Sequence, residues 1–302
     1  MTTIRAGGYA PRDSTHTRAL EHIARRLDAA VDGAVAVEIV PNIMDLGRQS
    51  SDLLDMVEGG ELTLCYFSTS YLGERVPELN ALEVPFLFDT LDEAHSAMDG
   101  SFGAALTAAT ERRTGLEVLG YWDNGFRHLT NARHPVHVPE DVAGLRVRLQ
   151  PNRVHEAMVE AWGGIPVAVE LSRGIELLMA GEVDAQENPL ANTTACGVDA
   201  IHPHVTMTAH LFGARGVYAN PRSLEALPAE VADELRIAAR DAIAFQRPAA
   251  AAFENETREK MAAAGTAFVD PTPDERAAFV AATARVAEWA RSEVGEVVPW
   301  PT

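Results

Sequence analysis

Residues 4–40 read IRAGGYAPRDSTHTRALEHIARRLDAAVDGAVAVEIV. Ile4–Tyr9 and Val35–Val40 are short apolar runs bounded by turn residues or charge, the signature of strands. Between them Leu20, Ile23, Leu27 and Val31 recur at helical spacing, with Asp13 and Ser14 as cap candidates. The pattern stops before Gly33, so a helix is predicted over Ser14–Val31. Strand, helix, strand is the repeating unit of an α/β fold with a mainly parallel sheet.

Working outward, Leu62–Phe67 and Leu116–Tyr121 add strands of the same kind. After Asn124-Gly125 a second α/β series begins. Its strands are expected near Phe126–Thr130, Leu145–Leu149, Val183–Gln186 and Val205–Thr208, its helices near Arg153–Trp162 and Ser172–Met179. A long helical pattern runs from Pro228 to Ala264, where Pro248 is expected to kink it by removing a backbone donor. The last helix spans Pro273–Val294. A chain of 302 residues has room for two lobes, and no repeat, low-complexity tract or flexible linker separates them. Several crossings between lobes are therefore expected.

Acidic residues outnumber basic ones by 44 to 25, for a formal charge of −19. That field repels phosphate backbones and anionic lipid, so nucleic acid and membrane surfaces are not expected partners. Apolar residues make up 47%, but no run reaches the roughly 20 residues of a membrane span, so no membrane insertion is expected. The two cysteines, Cys65 and Cys196, form no metal-binding spacing, and Cys65 falls in an apolar strand as a buried thiol. The N-terminal MTTIRAGGYAPRDS has no apolar h-region or cleavage signature, so an export signal is either absent or removed.

In Leu145-Arg146-Val147-Arg148-Leu149 the period of two sends the aliphatic residues to one face and both arginines to the other. Arg148 sits at the carboxyl end of the strand, where open α/β sheets bind ligands and where a guanidinium can grip a carboxylate in two places. Two arginines on a strand also mark a solvated face. Asn188 followed by Pro189 suits a helix cap, and its amide suits a ligand. Tyr121–Arg127 combines aromatic residues, a turn and a cation, which fits a cleft wall or an ordinary crossover. No GxSxG elbow, phosphate loop, GxGxxG or HExxH is present, so catalysis and cofactors are not expected. His202-Pro203-His204 with His210 downstream is the remaining candidate for a metal-dependent hydrolase, although Pro203 favours a turn there.

Taken in order, VPFLF (Val84–Phe88) with a helix ending at Asp99-Gly100, NGFRHLTN (Asn124–Asn131), GLRVRLQPN (Gly144–Asn152) and GEVDAQENPL (Gly181–Leu190) resemble the DctP-type solute-binding subunits of tripartite ATP-independent periplasmic (TRAP) transporters. Similarity over Gly47–Gly60, Thr206–His210 and Leu224–Pro228 extends it across nearly the whole chain. The resemblance implies a two-lobe periplasmic-binding-protein-like α/β fold, each lobe a sheet flanked by helices, with a long helix bracing both. A first lobe of residues 1–124 plus about 212–250 and a second of 125–211 plus about 251–302 are expected. It further implies a periplasmic location, small and large integral membrane subunits as partners, and a small carboxylate ligand held in the interlobe cleft. On this likeness the carboxylate clamp falls on Arg148, the second cleft arginine on Arg127 and the cleft asparagine on Asn188. Tyr9, Phe67, Ser68, Tyr71 and Leu171 are expected as walls. Arg215 is expected to meet a second anionic group or else lie on the surface. Where the family commonly has Glu, Tyr and Gly, this chain has Arg173, Ile175 and Ala185, so packing near the cleft floor must differ.

Overall fold

A computed structural model describes residues 2–32 and 35–301, so the helix stop read at Gly33 lies outside the described residues. In chain order the elements are β1 (Thr2–Gly7), α1 (Thr15–Ala30), β2 (Val35–Val40), α2 (Asp52–Glu58), β3 (Leu64–Ser68), α3 (Leu91–Asp99), α4 (Ser101–Thr114), β4 (Glu117–Asn131), β5 (Arg146–Leu149) and α5 (Arg153–Ala161). There follow β6 (Ile165–Ala168), α6 (Leu171–Met179), β7 (Ala185–Asn188), α7 (Leu190–Ala195), β8 (His204–Ala219), α8 (Pro221–Glu225), α9 (Ala229–Ala263), β9 (Ala267–Val269) and α10 (Pro273–Val294). The chain divides into two compact units: residues 2–69, 107–123 and 214–252, and residues 70–106, 124–213 and 253–301. Residues 70–106 group with 124–213 rather than with the N-terminal segment.

In the first unit β1 lies between β2 and β3, parallel to both, with Ile4 opposite Val37 and Ala6 opposite Leu64. The C-terminal part of β8 joins β3 antiparallel, Ser68 facing Arg215 and Leu64 facing Ala219. Helix α1 begins where Ser14 accepts the Thr17 N–H (3.1 Å), and it buries Leu20, Ile23 and Leu27. Those residues share one stripe at helical spacing, which is why the pattern was readable.

In the second unit β5 lies between β6 and β7, parallel to both, and β7 runs antiparallel to β4. Val147 and Leu149 of β5 turn into a core with Leu129, Met158, Trp162 and Phe279. The rings of Trp162 and Phe279 meet edge to face at 5.3 Å.

Three strand readings change. The two strands expected on either side of Asn124-Gly125 are one strand of 15 residues, β4, and Asn124-Gly125 is no turn. Gly120 (φ 147°) and Gly125 (φ 92°) take backbone angles closed to most side chains, so the chain passes through without breaking the ladder. Likewise Val205–Thr208 opens the 16-residue β8. The strand expected at Val183–Gln186 lies at Ala185–Asn188, all four residues buried. Helix α9 continues through Pro248, whose missing N–H leaves the Ala244 carbonyl without its helical donor. Among the described residues no helix is long and apolar enough to cross a membrane.

Candidate functional site

The two β5 arginines share a face but not a fate. Arg146 is half-exposed and donates from Nε to Asp184 Oδ2 (2.8 Å). Arg148 is 1% exposed. Its Nη2 donates to the Val169 carbonyl (3.0 Å) and the Tyr71 hydroxyl (3.3 Å), while its buried Nε has no hydrogen-bond partner. No carboxylate among the described residues pairs with it. The solvated-face reading therefore fails for Arg148, and its positive charge is held in the interior with no counterion among the described residues, an arrangement that costs several kcal/mol. Tyr71 is kept protonated: burial raises its pKa and Glu170 adds to the rise, against the opposing pull of Arg148. Its hydroxyl accepts from Arg148.

The corner that supports Arg148 is built locally. Val169 N–H bonds to the Leu149 carbonyl (3.2 Å), and Glu170 starts α6 by accepting from Ser172 N–H (2.9 Å) and Oγ–H (2.8 Å). Leu171 is the first residue of that helix.

Strand register relates Asn188 to Arg148. Arg148 pairs with Gln186, and Asn188 lies two residues further along β7, hence on the same face. The capping expectation for Asn188 is corrected: Pro189 is the cap residue of α7, and Asn188 ends the strand. The first N–H groups of α7, on Leu190 and Ala191, donate instead to the Glu254 carboxylate of α9 at 2.7 and 3.0 Å. Asn188 Oδ1 accepts from Asn192 Nδ2 (3.1 Å), which also reaches Asn124 Oδ1 (3.0 Å).

Arg127 lies on the opposite side of the ladder, with Leu129 and Glu187. It forms a buried bidentate pair with Glu187: Nε meets Oε2, and Nη2 donates to Oε1 (2.7 Å) and to the Glu187 carbonyl (2.7 Å). Burial alone would raise the Glu187 pKa, but Arg127, His210 and His155 hold it far below the ordinary carboxylate range. His210 Nε2 stands 3.5 Å and His155 Nδ1 4.0 Å from that carboxylate, and His155 Nε2 meets Glu83 at 2.6 Å.

In the first unit the β3–β8 register brings Tyr9, Phe67, Ser68 and Arg215 together. Arg215 is buried, so its surface reading is overturned, and its Cζ lies 4.6 Å from the Tyr9 ring and 5.5 Å from Tyr66. Tyr9 packs on Phe67 with ring centres 5.4 Å apart. Sequence reasoning missed His16, which stacks on Tyr66 (5.2 Å) and bonds through Nε2 to the Asp123 carbonyl (2.9 Å). Burial, then Arg215, drives its pKa well below the usual histidine value. Its place one turn before Leu20 on the buried face of α1 was the only signal it gave.

The histidines of the hydrolase reading have separate occupations. His202 Nδ1 bonds to Thr130 Oγ1 (2.8 Å), His210 Nδ1 to Thr208 Oγ1 (2.6 Å), and His204 opens β8. Among the described residues no group of three His, Cys, Asp or Glu side chains is placed to hold a metal ion.

Residues 6–292 match the family DctP, bacterial extracellular solute-binding protein, family 7. The chain belongs to the DctP family. It is 28% identical over 264 residues to the 2,3-diketo-L-gulonate-binding periplasmic protein YiaO of Escherichia coli, covering 86% of this chain and 79% of that one. It is 28% identical over 249 residues to the C4-dicarboxylate-binding periplasmic protein DctP of Rhodobacter capsulatus, covering 82% and 74%. A TRAP periplasmic solute-binding protein from Chromohalobacter salexigens, solved with bound D-glucuronate, superimposes with a TM-score of 0.90 at 26% identity, over 97% of this chain and 96% of that one. The DctP-family assignment supports solute binding over the hydrolase built on His202, His204 and His210.

Proposed function

We propose that this DctP-family protein is the extracytoplasmic receptor of a TRAP transporter and captures a small organic acid through Arg148. The observation that carries this reading is a buried guanidinium with no carboxylate of its own among the described residues. A ligand carboxylate supplies that counterion. It meets the donors that Val169 and Tyr71 leave open. Asn188, with its oxygen held by Asn192, turns its NH2 end to the ligand. Arg127 is neutralised by Glu187 and fixes the strand end that carries Asn188. Leu171 at the start of α6 is a wall, and Tyr9, Phe67, Ser68 and Arg215 form an aromatic and cationic group within the first unit.

The reading involves binding without catalysis, a periplasmic setting and delivery to integral membrane subunits. The named ligands of the relatives, 2,3-diketo-L-gulonate, C4-dicarboxylates and D-glucuronate, share a carboxylate, which is the group Arg148 is suited to hold. Thermal unfolding against a panel of such acids tests it. A ligand at about 100 times its dissociation constant adds roughly 2.7 kcal/mol of stability. Arg148→Lys removes most of that gain, because lysine lacks the planar fork. Equal gains in wild type and variant would reject Arg148 as the anchor.

A further inference from the structure

We infer that Gly174 is a positioning residue for Arg148: the side chain it lacks lets the arginine stem lie flat on α6 and sets the depth at which the guanidinium meets a carboxylate. This rests on Arg148 being the anchor.

Gly174 is buried in the interior of α6 with ordinary backbone angles. Glycine at such a position weakens a helix relative to alanine, so its presence calls for a close approach. The close approach is Arg148. A Cβ added at residue 174 would stand 2.5 Å from Arg148 Nε and 3.0 Å from both Cδ and Cγ. Contact at 2.5 Å is not tolerated, so one partner must move.

The backbone on either side is fixed. Strand β5 is paired on both edges, to β6 and to β7. Helix α6 is pinned at its start by Glu170 and packed through Leu177 and Leu178 against Val183 and Val198. The displacement therefore falls on the guanidinium, which loses its bonds to Val169 and Tyr71 before it can shift. Arg173, beside it, is exposed and pairs with Glu176 (2.9 Å), so it does not share this role.

The test is a double-mutant cycle on the full chain, with isothermal titration against succinate, D-glucuronate and 2,3-diketo-L-gulonate and with unfolding midpoints of the ligand-free proteins. Gly174→Ala is expected to keep or raise the ligand-free midpoint and to weaken the best-bound acid by on the order of tenfold. In the Arg148→Ala background the same change is expected to weaken any remaining binding by less than about twofold, because the stem it would strike is gone. Binding by Gly174→Ala within about twofold of wild type, with Arg148→Lys strongly impaired, overturns this inference alone; so does full additivity. If no acid binds wild type, or Arg148→Lys binds as wild type does, the anchor reading fails and takes this inference with it. Should Gly174→Ala lose its fold, restoration by Arg148→Ala in the same chain supports the conflict between the two side chains, and persistent unfolding overturns it.

Discussion

Arg148 spends one nitrogen, Nη2, on both the Tyr71 hydroxyl and the Val169 carbonyl, so the guanidinium is oriented before any solute arrives. Orientation in advance lowers the entropy lost on binding. Tyr71→Phe deletes the hydroxyl and its proton while keeping the ring. Hydrogen bonds to charged groups contribute about 1.5–3 kcal/mol, so titration calorimetry should show the acid bound roughly tenfold or more weakly, with the ligand-free fold intact. An unchanged affinity would remove Tyr71 from the site.

Arg127 and Glu187 form an ion pair without solvent access, so removing one partner strands the other. Glu187→Gln is expected to cost about 3–5 kcal/mol in urea unfolding, and Arg127→Met with Glu187→Met together less than the sum of the singles. Additive losses would show that the two side chains act separately.

His128 gives the protein an acid limit well above the carboxylate range. Its Nδ1 accepts the N–H of Ala209 (3.1 Å), a residue at φ 45°. Burial first, then His210, Arg258 and Arg127, push its pKa down to about 3. An unfolded histidine binds its proton near 6.5, so the stability this group contributes is complete above that pH and is lost as pH falls toward 3. By pH 5 the loss is about 2 kcal/mol. Burial acts with the same sign on His202, held at about 4. His128→Asn offers an oxygen to Ala209 and does not titrate, so its urea midpoint should change less between pH 7 and pH 5 than that of wild type. An equal or steeper change would remove His128 as the cause.

Glu254 caps a helix that lies far from it in sequence. Its carboxylate takes two N–H groups of α7, directly after Asn188-Pro189. Glu254→Ala is expected to cost about 1–2 kcal/mol, as the loss of a cap does, and Glu254→Gln less, since one acceptor oxygen remains. Circular dichroism melts of the two variants measure the difference; indistinguishable melts would mean that the carboxylate is not the cap.

Much of this was legible in the chain, and for definite reasons. Helix α1 announced itself because its buried stripe is apolar and Ser14 precedes it; β2 and α10 fell on their predicted bounds. The place of Arg148 near a strand end was legible. Its burial was not, because period two gives Arg146 and Arg148 the same face, and only the neighbouring Val169, Tyr71 and α6 distinguish them. The long strands were misread because Asn124-Gly125 has turn chemistry, and a flanking ladder overrides it. The cap on α7 comes from residue 254, more than sixty positions away, which no local rule can find. Gly174 drew no reading from the sequence, because the arginine beside it comes from another element.

The backbone passes from one compact unit to the other at residues 69–70, 106–107, 123–124, 213–214 and 252–253, within β4, β8, α4 and α9 as well as in a loop. Neither unit corresponds to a continuous stretch of gene, so no truncation can yield one of them whole. Cloning the front or the back of the coding sequence would produce a polypeptide with severed strands and exposed apolar edges. Insertions that lengthen one unit must be accommodated in a reading frame that also writes the other, and the two are inherited as a single piece.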